Sequence, residues 1–227
     1  MARCVIFLGP SLPHRQARQV VGEGCDIRPP VRRGDLPELE DDVDIIAIID
    51  GVFLGEAAVG HREIMDKLRQ GVQVVGGGSM GALRASELHP FGMKGIGEIY
   101  RCYKNGEIEG DDEVALIFNP EDLEALSEPL VNMRHNLMEA TVREIIRPRE
   151  RDELLSALKA LYYPKRTKER MLEAASDILD DASLSEFELF VRDEYTDIKR
   201  EDALEVLLFV KENTAKKREK AKKGGTV

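Results

Sequence analysis

Short apolar runs rich in β-branched residues, each closed by Gly, Pro or Asp, dominate the first half of the chain. They occupy residues 4–8 (CVIFL), 45–49 (IIAII) and 72–75 (VQVV). Runs that stay apolar, without polar alternation, are what strands buried on both faces require, and such strands belong to parallel sheets. Residues 15–21 and 56–70 read as intervening helices. The second places Ile64, Met65 and Leu68 on one face and ends at Gly71, a residue suited to a helix C-terminus. A further helix follows from Ala82. The order β-α-β-α-β then helix predicts an α/β fold, a mostly parallel sheet flanked by helices and Rossmann-like in character. Beyond residue 121 no strand-like run appears. Segments near 121–146, 150–161, 165–180, 184–197 and 199–219 carry apolar residues at helical spacing, broken by Pro129, Pro148 and Pro164. The expected organisation is an α/β core over residues 1–119 and an all-helical region with a basic tail over 120–227.

Composition narrows the function classes. The 227 residues suffice for one or two domains, and 42% hydrophobic content beside 33% charged residues speaks against wholesale disorder. No apolar run approaches the roughly 20 residues of a membrane-spanning helix. No cleavage pattern follows the apolar N-terminus, so a soluble, cytoplasmic protein is expected. Net charge is −10; residues 211–227 hold seven Lys/Arg against two Glu, so the preceding 210 residues carry −15. An acidic body disfavours nucleic acid as a partner, and the basic tail reads most simply as a solvated helix end. Cys4, Cys25 and Cys102 show neither disulfide nor zinc spacing. Self-association is left open.

The densest chemical signal is Gly76-Gly77-Gly78-Ser79-Met80-Gly81-Ala82-Leu83-Arg84, directly after one strand and before a helix. Glycines allow a sharp turn, and the amides of a first helical turn point at whatever sits before it. Gly77-x-Ser79-x-Gly81 matches a nucleophile elbow in its strand–turn–helix setting, with Gly77, Gly78, Met80 and Gly81 as oxyanion or substrate loop. Two other readings stay open: an anion loop with Ser79 as helix N-cap, and a plain structural turn. The dinucleotide fingerprint is absent, since Gly9-Pro10-Ser11 follows the first strand, and there is no Walker lysine.

A serine nucleophile needs a base. Asp111 or Asp112 followed by His135 has the order of a hydrolase triad, but His135 lies mid-helix. A lysine serves where its surroundings keep it neutral, and Lys94 and Lys104 follow in the glycine-rich stretch, Lys104 just before an Asn105-Gly106 turn. Asp50-Gly51 ends a strand, where sites of parallel sheets gather. His61-Arg62-Glu63 opens a helix and could meet an anion, and Pro29-Pro30 with Gly34-Asp35 forms a rigid loop. Asp111-Asp112-Glu113 is either a Mg²⁺ cluster or an acidic cap.

Seven blocks resemble the core of the TfuA-like family. They are FLGPSLP (7–13), PPVRRGDL (29–36), IIDG (48–51), HREI (61–64), SMGALRASEL (79–88), FGM…GIG (91–97) and DDEVA (111–115). The resemblance implies a partner of YcaO-type enzymes in peptide-backbone thioamidation. It implies a hydrolase with a Ser–Lys pair that releases bisulfide from the C-terminal thiocarboxylate of a ThiS-like sulfur carrier. The forms most similar to this sequence accompany thioglycine formation in methyl-coenzyme M reductase of methanogens. Ser79 falls on the nucleophile. Many members carry Lys where this chain has Arg62, and a guanidinium is not a base, so Lys104 is preferred over Lys94 and Lys67.

On this reading Ser79 attacks the acyl carbon and a glycine-walled channel admits the carrier tail. Gly9, Pro10, Ser11, Asp50, Gly51, His61, Arg62, Glu63 and Arg84 line its approach. No metal or organic cofactor is required, and Cys102 is a rival persulfide site. The alternative is a non-catalytic adaptor that recruits carrier, or the peptide or protein substrate, to YcaO.

Overall fold

The computed structural model describes residues 3–53 and 57–224, apart from the side chains of residue 218 and residues 220–224. Residues 54–56, where the second helix was expected to begin, and most basic side chains of the tail lie outside the described residues. The chain divides into two compact units: Met1–Glu109 with Lys199–Val227, and Gly110–Ile198.

The first unit is built on five parallel strands: β1 (Arg3–Phe7), β2 (Cys25–Arg28), β3 (Val43–Ile48), β4 (Gln73–Gly76) and β5 (Lys94–Gly95), ordered β2-β1-β3-β4-β5. The helices are α1 (His14–Val21), α2 (His61–Arg69), α3 (Met80–Leu88), α4 (Glu98–Asn105) and the long α9 (Ile198–Gly224). Alternate strand residues face opposite layers. Val5, Phe7, Ile46, Ile48 and Val74 pack with Ile64 of α2 and Met80, Ala85 and Leu88 of α3. Ile6, Ile45, Ala47, Ile49 and Val75 pack with Ala17 of α1 and Ala203, Val206, Leu207 and Val210 of α9. Eight residues of α1 cannot cover that second face, and α9 completes it. The expected α/β fold is therefore present, and the last helix belongs to the sheet, whereas the sequence pattern had grouped it with the helical region.

The second unit opens on a 3-10 turn (Asp111–Glu113) and an isolated bridge between Phe118 and Ala125. Four helices follow, α5 (Leu130–Val142), α6 (Pro148–Ala160), α7 (Lys168–Ile178) and α8 (Asp181–Asp193), around Leu130, Leu137, Leu154, Leu158, Met171 and Phe187. Thr167 and Asp180 cap α7 and α8 by accepting the amides of Arg170 and Ser183.

One expectation is corrected here. Cys4 and Cys25, neighbours in the β1–β2 register with Cα atoms 4.9 Å apart, form a disulfide. Their 21-residue separation carried no recognisable spacing because the pairing is made by strand adjacency. Cys102 is the free cysteine.

Candidate functional site

The strand order reverses between β1 and β3, and in sheets of this kind ligands gather where the strands end at such a reversal. Here that crevice holds a closed polar knot. Asp50 Oδ2 accepts the amides of Gly9 at 2.8 Å and Ser11 at 3.0 Å, and Oδ1 accepts the Ser11 hydroxyl at 2.6 Å. Asp50 and Ser11 are both buried. Pro30 fills the space beside Gly9, and Met80 and Val31 fill that beside Gly51. Gly9, Pro10, Ser11, Asp50 and Gly51 come together as expected, and their polar groups are turned on one another.

One strand further along stands Ser79. Gly78 takes the left-handed conformation of the turn (φ 73°), and Ser79 follows with φ −143° and ψ −122°. Ser79 occupies the N-cap position of α3, as the anion-loop reading expects, but its side chain makes no cap hydrogen bond to that helix. Close packing explains two glycines. A Cβ on Gly81 would fall 1.7 Å from the Ile48 carbonyl oxygen, and one on Gly77 would fall 2.5 Å from that of Ile96. Their amides are committed to the sheet: Gly77 donates to the Ile48 carbonyl at 3.3 Å and Gly81 to that of Ile49 at 3.1 Å. Ala82 and Leu83 donate to the Ser79 carbonyl. Of the expected oxyanion loop, Gly77 and Gly81 therefore have their amides bonded to the end of β3.

Ser79 is 2% exposed. Its surroundings within this unit include the first turn of α9, a contact the sequence pattern did not reveal. The Lys199 carbonyl oxygen would lie 3.3 Å from a Cβ on Gly78, and Lys199 itself is 2% exposed.

The other candidates are dispersed. Lys104 is exposed in the last turn of α4, its ammonium 5.7 Å from the Tyr100 ring centre. Six residues of helix put it about 9 Å along the axis from the end where α4 leaves the sheet. Lys94 places its ammonium 4.1 Å from the Phe209 ring centre. Lys67 is buried near the far end of α2 and donates to the Leu39 carbonyl at 3.3 Å. Glu63 ties down the start of α2, its oxygens accepting the Gly60 and Gly34 amides. His61 and Arg84 both meet Glu87 Oε2 at 2.7 Å, and Arg84 also donates to the Val59 carbonyl. Arg62 is exposed. His135 and the Asp111–Glu113 turn belong to the second unit. There Asp112 pairs with Arg166 at 2.6 Å and Glu113 with Arg134 at 2.5 Å, so these two carboxylates are held in ion pairs. Among the described residues no group of three or more His, Cys, Asp or Glu is placed to hold a metal ion. Burial, with Glu107 and Glu98 nearby, pushes the Cys102 thiol up to about 12, far from the thiolate that a persulfide carrier needs. A surface cleft of about 560 Å³ between α1 and α9, lined by Arg15, Gln16, Gln19, Val20, Arg200 and Leu204, contains none of the expected site residues.

Asp202, on α9, is a buried carboxyl that sequence reasoning passed over. Its oxygens accept the first two amides of α4, from Glu98 at 2.7 Å and Ile99 at 2.9 Å. Its only local signal was a place on the apolar stripe of α9, between Lys199 and Ala203.

A parallel α/β layer ending in a glycine-walled serine turn defines a class of α/β proteins with a single dominant candidate nucleophile. The family model for TfuA-like protein matches residues 50–167, more than half of the chain, and the chain belongs to the TfuA-like family. That family is linked to YcaO-associated thioamidation. No curated protein matches the chain. No helix of the described residues is long and apolar enough to cross a membrane.

Proposed function

We propose that this protein releases bisulfide from the C-terminal thiocarboxylate of a small ThiS-like sulfur carrier. It thereby feeds a YcaO partner that forms thioamides, with thioglycine formation in methyl-coenzyme M reductase as the destination. The observation that carries the reading is Ser79: a hydroxyl at the end of a parallel strand, beyond a left-handed glycine, making no cap bond to the helix it precedes. The Ser79 oxygen attacks the thiocarboxylate carbon while a neutral lysine amine takes its proton. The new C–O bond forms and the carbonyl π electrons move to oxygen. The protonated lysine hands that proton to the sulfur as the adduct collapses, so the C–S bond breaks and HS⁻ leaves. Water then hydrolyses the acyl-serine to the carrier carboxylate and returns the serine.

Lys199 replaces Lys104 as the preferred base, because its backbone touches the glycine turn and its side chain is buried, whereas Lys104 is exposed at the far end of α4. A lysine base acts only when neutral, so the rate rises with pH.

Incubating the Ser79→Ala protein with thiocarboxylated carrier, and following the mass change from thiocarboxylate to carboxylate, tests the reading. Unchanged release in that variant sinks it. Lys199→Ala and Lys104→Ala, compared side by side, assign the base. The burial of Ser79 favours the second reading, an adaptor that raises the affinity of YcaO for its peptide. That reading predicts unaltered partner binding in Ser79→Ala and no sulfide from either protein.

A further inference from the structure

Helices α1 and α9 cover the same face of the sheet, and the cleft of about 560 Å³ between them has its lining groups ordered along both helices. Arg15 and Gln16 stand in the first turn of α1, and Arg200 stands in the first turn of α9. The Arg200 guanidinium is held in place by donating to Gln16 Oε1 at 2.7 Å. One turn on, about 6 Å along each axis, come Val20 and Leu204, both partly buried against the sheet. Arg15 is exposed and has no ion-pair partner among the described residues.

Charge sets the ligand class. No lining residue is acidic, and α1 (HRQARQVV) holds no Asp or Glu, in a chain that is acidic as a whole. Both helices begin at the arginine end, where their dipoles add to the positive field. Guanidinium forks pair with carboxylates and phosphates. The aliphatic pair one turn away decides between these. It suits a chain that presents a carboxylate and then an apolar side chain, whereas a bare phosphate leaves it uncovered.

The cleft also shares a helical turn with the serine site. The Lys199 carbonyl oxygen and the Ala203 amide nitrogen would lie 3.3 and 3.7 Å from a Cβ on Gly78. Arg200 and Leu204, the next residue in each case, lie about 100° around the same helix and line the cleft. A body seated there stands about one helix diameter, roughly 10 Å, from the Ser79 turn. Three or four extended residues, at about 3.3 Å each, span that distance.

We propose that the α1–α9 cleft is the docking site for an acidic segment of a partner protein, which sets a carboxylate on Arg15 and Arg200 and an aliphatic side chain on Val20 and Leu204. The proposal deepens the reading above and rests on it for the partner: the segment belongs to the folded body of the sulfur carrier, whose tail then reaches Ser79.

Calorimetric titration of the intact protein with the carrier in its carboxylate form tests this. That form has no sulfur to lose, so docking is read apart from the chemistry of Ser79. Arg15→Glu combined with Arg200→Glu should raise the dissociation constant by about tenfold or more. Arg15→Glu combined with Gln19→Glu changes two exposed positions and keeps the Arg200–Gln16 bond. It should weaken docking in the same direction, and it carries the test if Arg200→Glu fails to fold. Arg192→Glu, a charge reversal on exposed α8 surface, should stay within about twofold of the wild type. Added salt should weaken wild-type docking more steeply than that of the double arginine variant.

Equal dissociation constants for the wild type and both cleft variants, or no binding of the carrier, overturn the proposal. Saturable binding of inorganic phosphate that the cleft variants abolish overturns it too, in favour of a small-anion site. If the cleft variants lose the carrier while thiocarboxylated carrier yields no sulfide with the wild type, the serine reading fails and the docking site stands.

Discussion

The hydroxyl of Ser11 donates to Asp50 Oδ1 at 2.6 Å, inside a knot whose other carboxylate oxygen takes the Gly9 and Ser11 amides. This pair fixes the loop after β1 against the end of β3, directly beside Met80. Removing the carboxylate strands three buried donors. Asp50→Ala should therefore cost about 3 kcal/mol in urea unfolding, and Ser11→Ala about 1 kcal/mol. A loss below 0.5 kcal/mol for Asp50→Ala would mean that the loop is held by other contacts.

The glycine turn separates two kinds of requirement. At Gly81 a methyl group would meet the Ile48 carbonyl at 1.7 Å, backbone against backbone, with no side chain able to yield. At Gly71 the same methyl meets nothing within 4 Å, and only φ 83° opposes it. Gly71→Ala should cost about 1 kcal/mol, whereas Gly81→Ala should exceed 4 kcal/mol or fail to fold. Thermal melts of the two proteins side by side check the ordering.

The Cys4–Cys25 disulfide ties edge strand β2 to β1. Closing a loop of 21 residues removes unfolded-state freedom worth about 3 kcal/mol on a chain-entropy estimate. Dithiothreitol should lower the urea midpoint accordingly, and a Cys4→Ser, Cys25→Ser protein should unfold at that lower midpoint whether or not reductant is present. A midpoint unaffected by reductant in the wild type would refute the estimate.

Legibility in the sequence followed locality. β1, β3 and β4 were readable because strands buried on both faces must be continuously apolar, and 4–8, 45–49 and 72–75 are. β2 was not, since an edge strand alternates and Cys25-Asp26-Ile27-Arg28 resembles a loop. β5 has two residues, too few for any pattern. The serine turn was visible because its glycines, strand and helix are contiguous. The partners of that turn were hidden because they come from α9. Its residues Lys199, Asp202, Ala203 and Val206 show a helical stripe, and a stripe does not say which surface it covers. The lysine choice failed to find support at Lys104 for the same reason: a turn beside it suggested a direction, and α4 carries it elsewhere.

Arg166 shows how a charge can be structural. It is 1% exposed, and its guanidinium donates to the Leu158 and Lys159 carbonyls at the end of α6 and to the Asp112 carbonyl and carboxylate. Arg166→Met keeps the volume and removes four bonds, leaving buried carbonyls unpaired. A loss of about 3 kcal/mol in the second unit is expected, and Arg166→Lys should recover only part of it because a lysine cannot span the fork. Exchange protection across α6 reports this directly, and unaltered protection in Arg166→Met would refute it.

Glu128 gives the second unit a pH dependence of known sign. Burial raises its carboxyl, against the bonds it accepts from Asn132 at 2.8 Å and the Tyr195 hydroxyl at 3.0 Å. Asp197 adds a like charge, and Lys168, over the Tyr195 ring at 3.9 Å, offsets it in part. The folded state therefore retains a proton that the unfolded chain has already lost. Stability from that proton is full below the ordinary carboxylate range and is lost as pH climbs through the raised value. Glu128→Gln keeps the acceptor oxygen and the shape while removing the titration. Its unfolding free energy should fall less between pH 4 and pH 7 than that of the wild type. Parallel curves for the two proteins would show that Glu128 is already ionised at no cost in the fold.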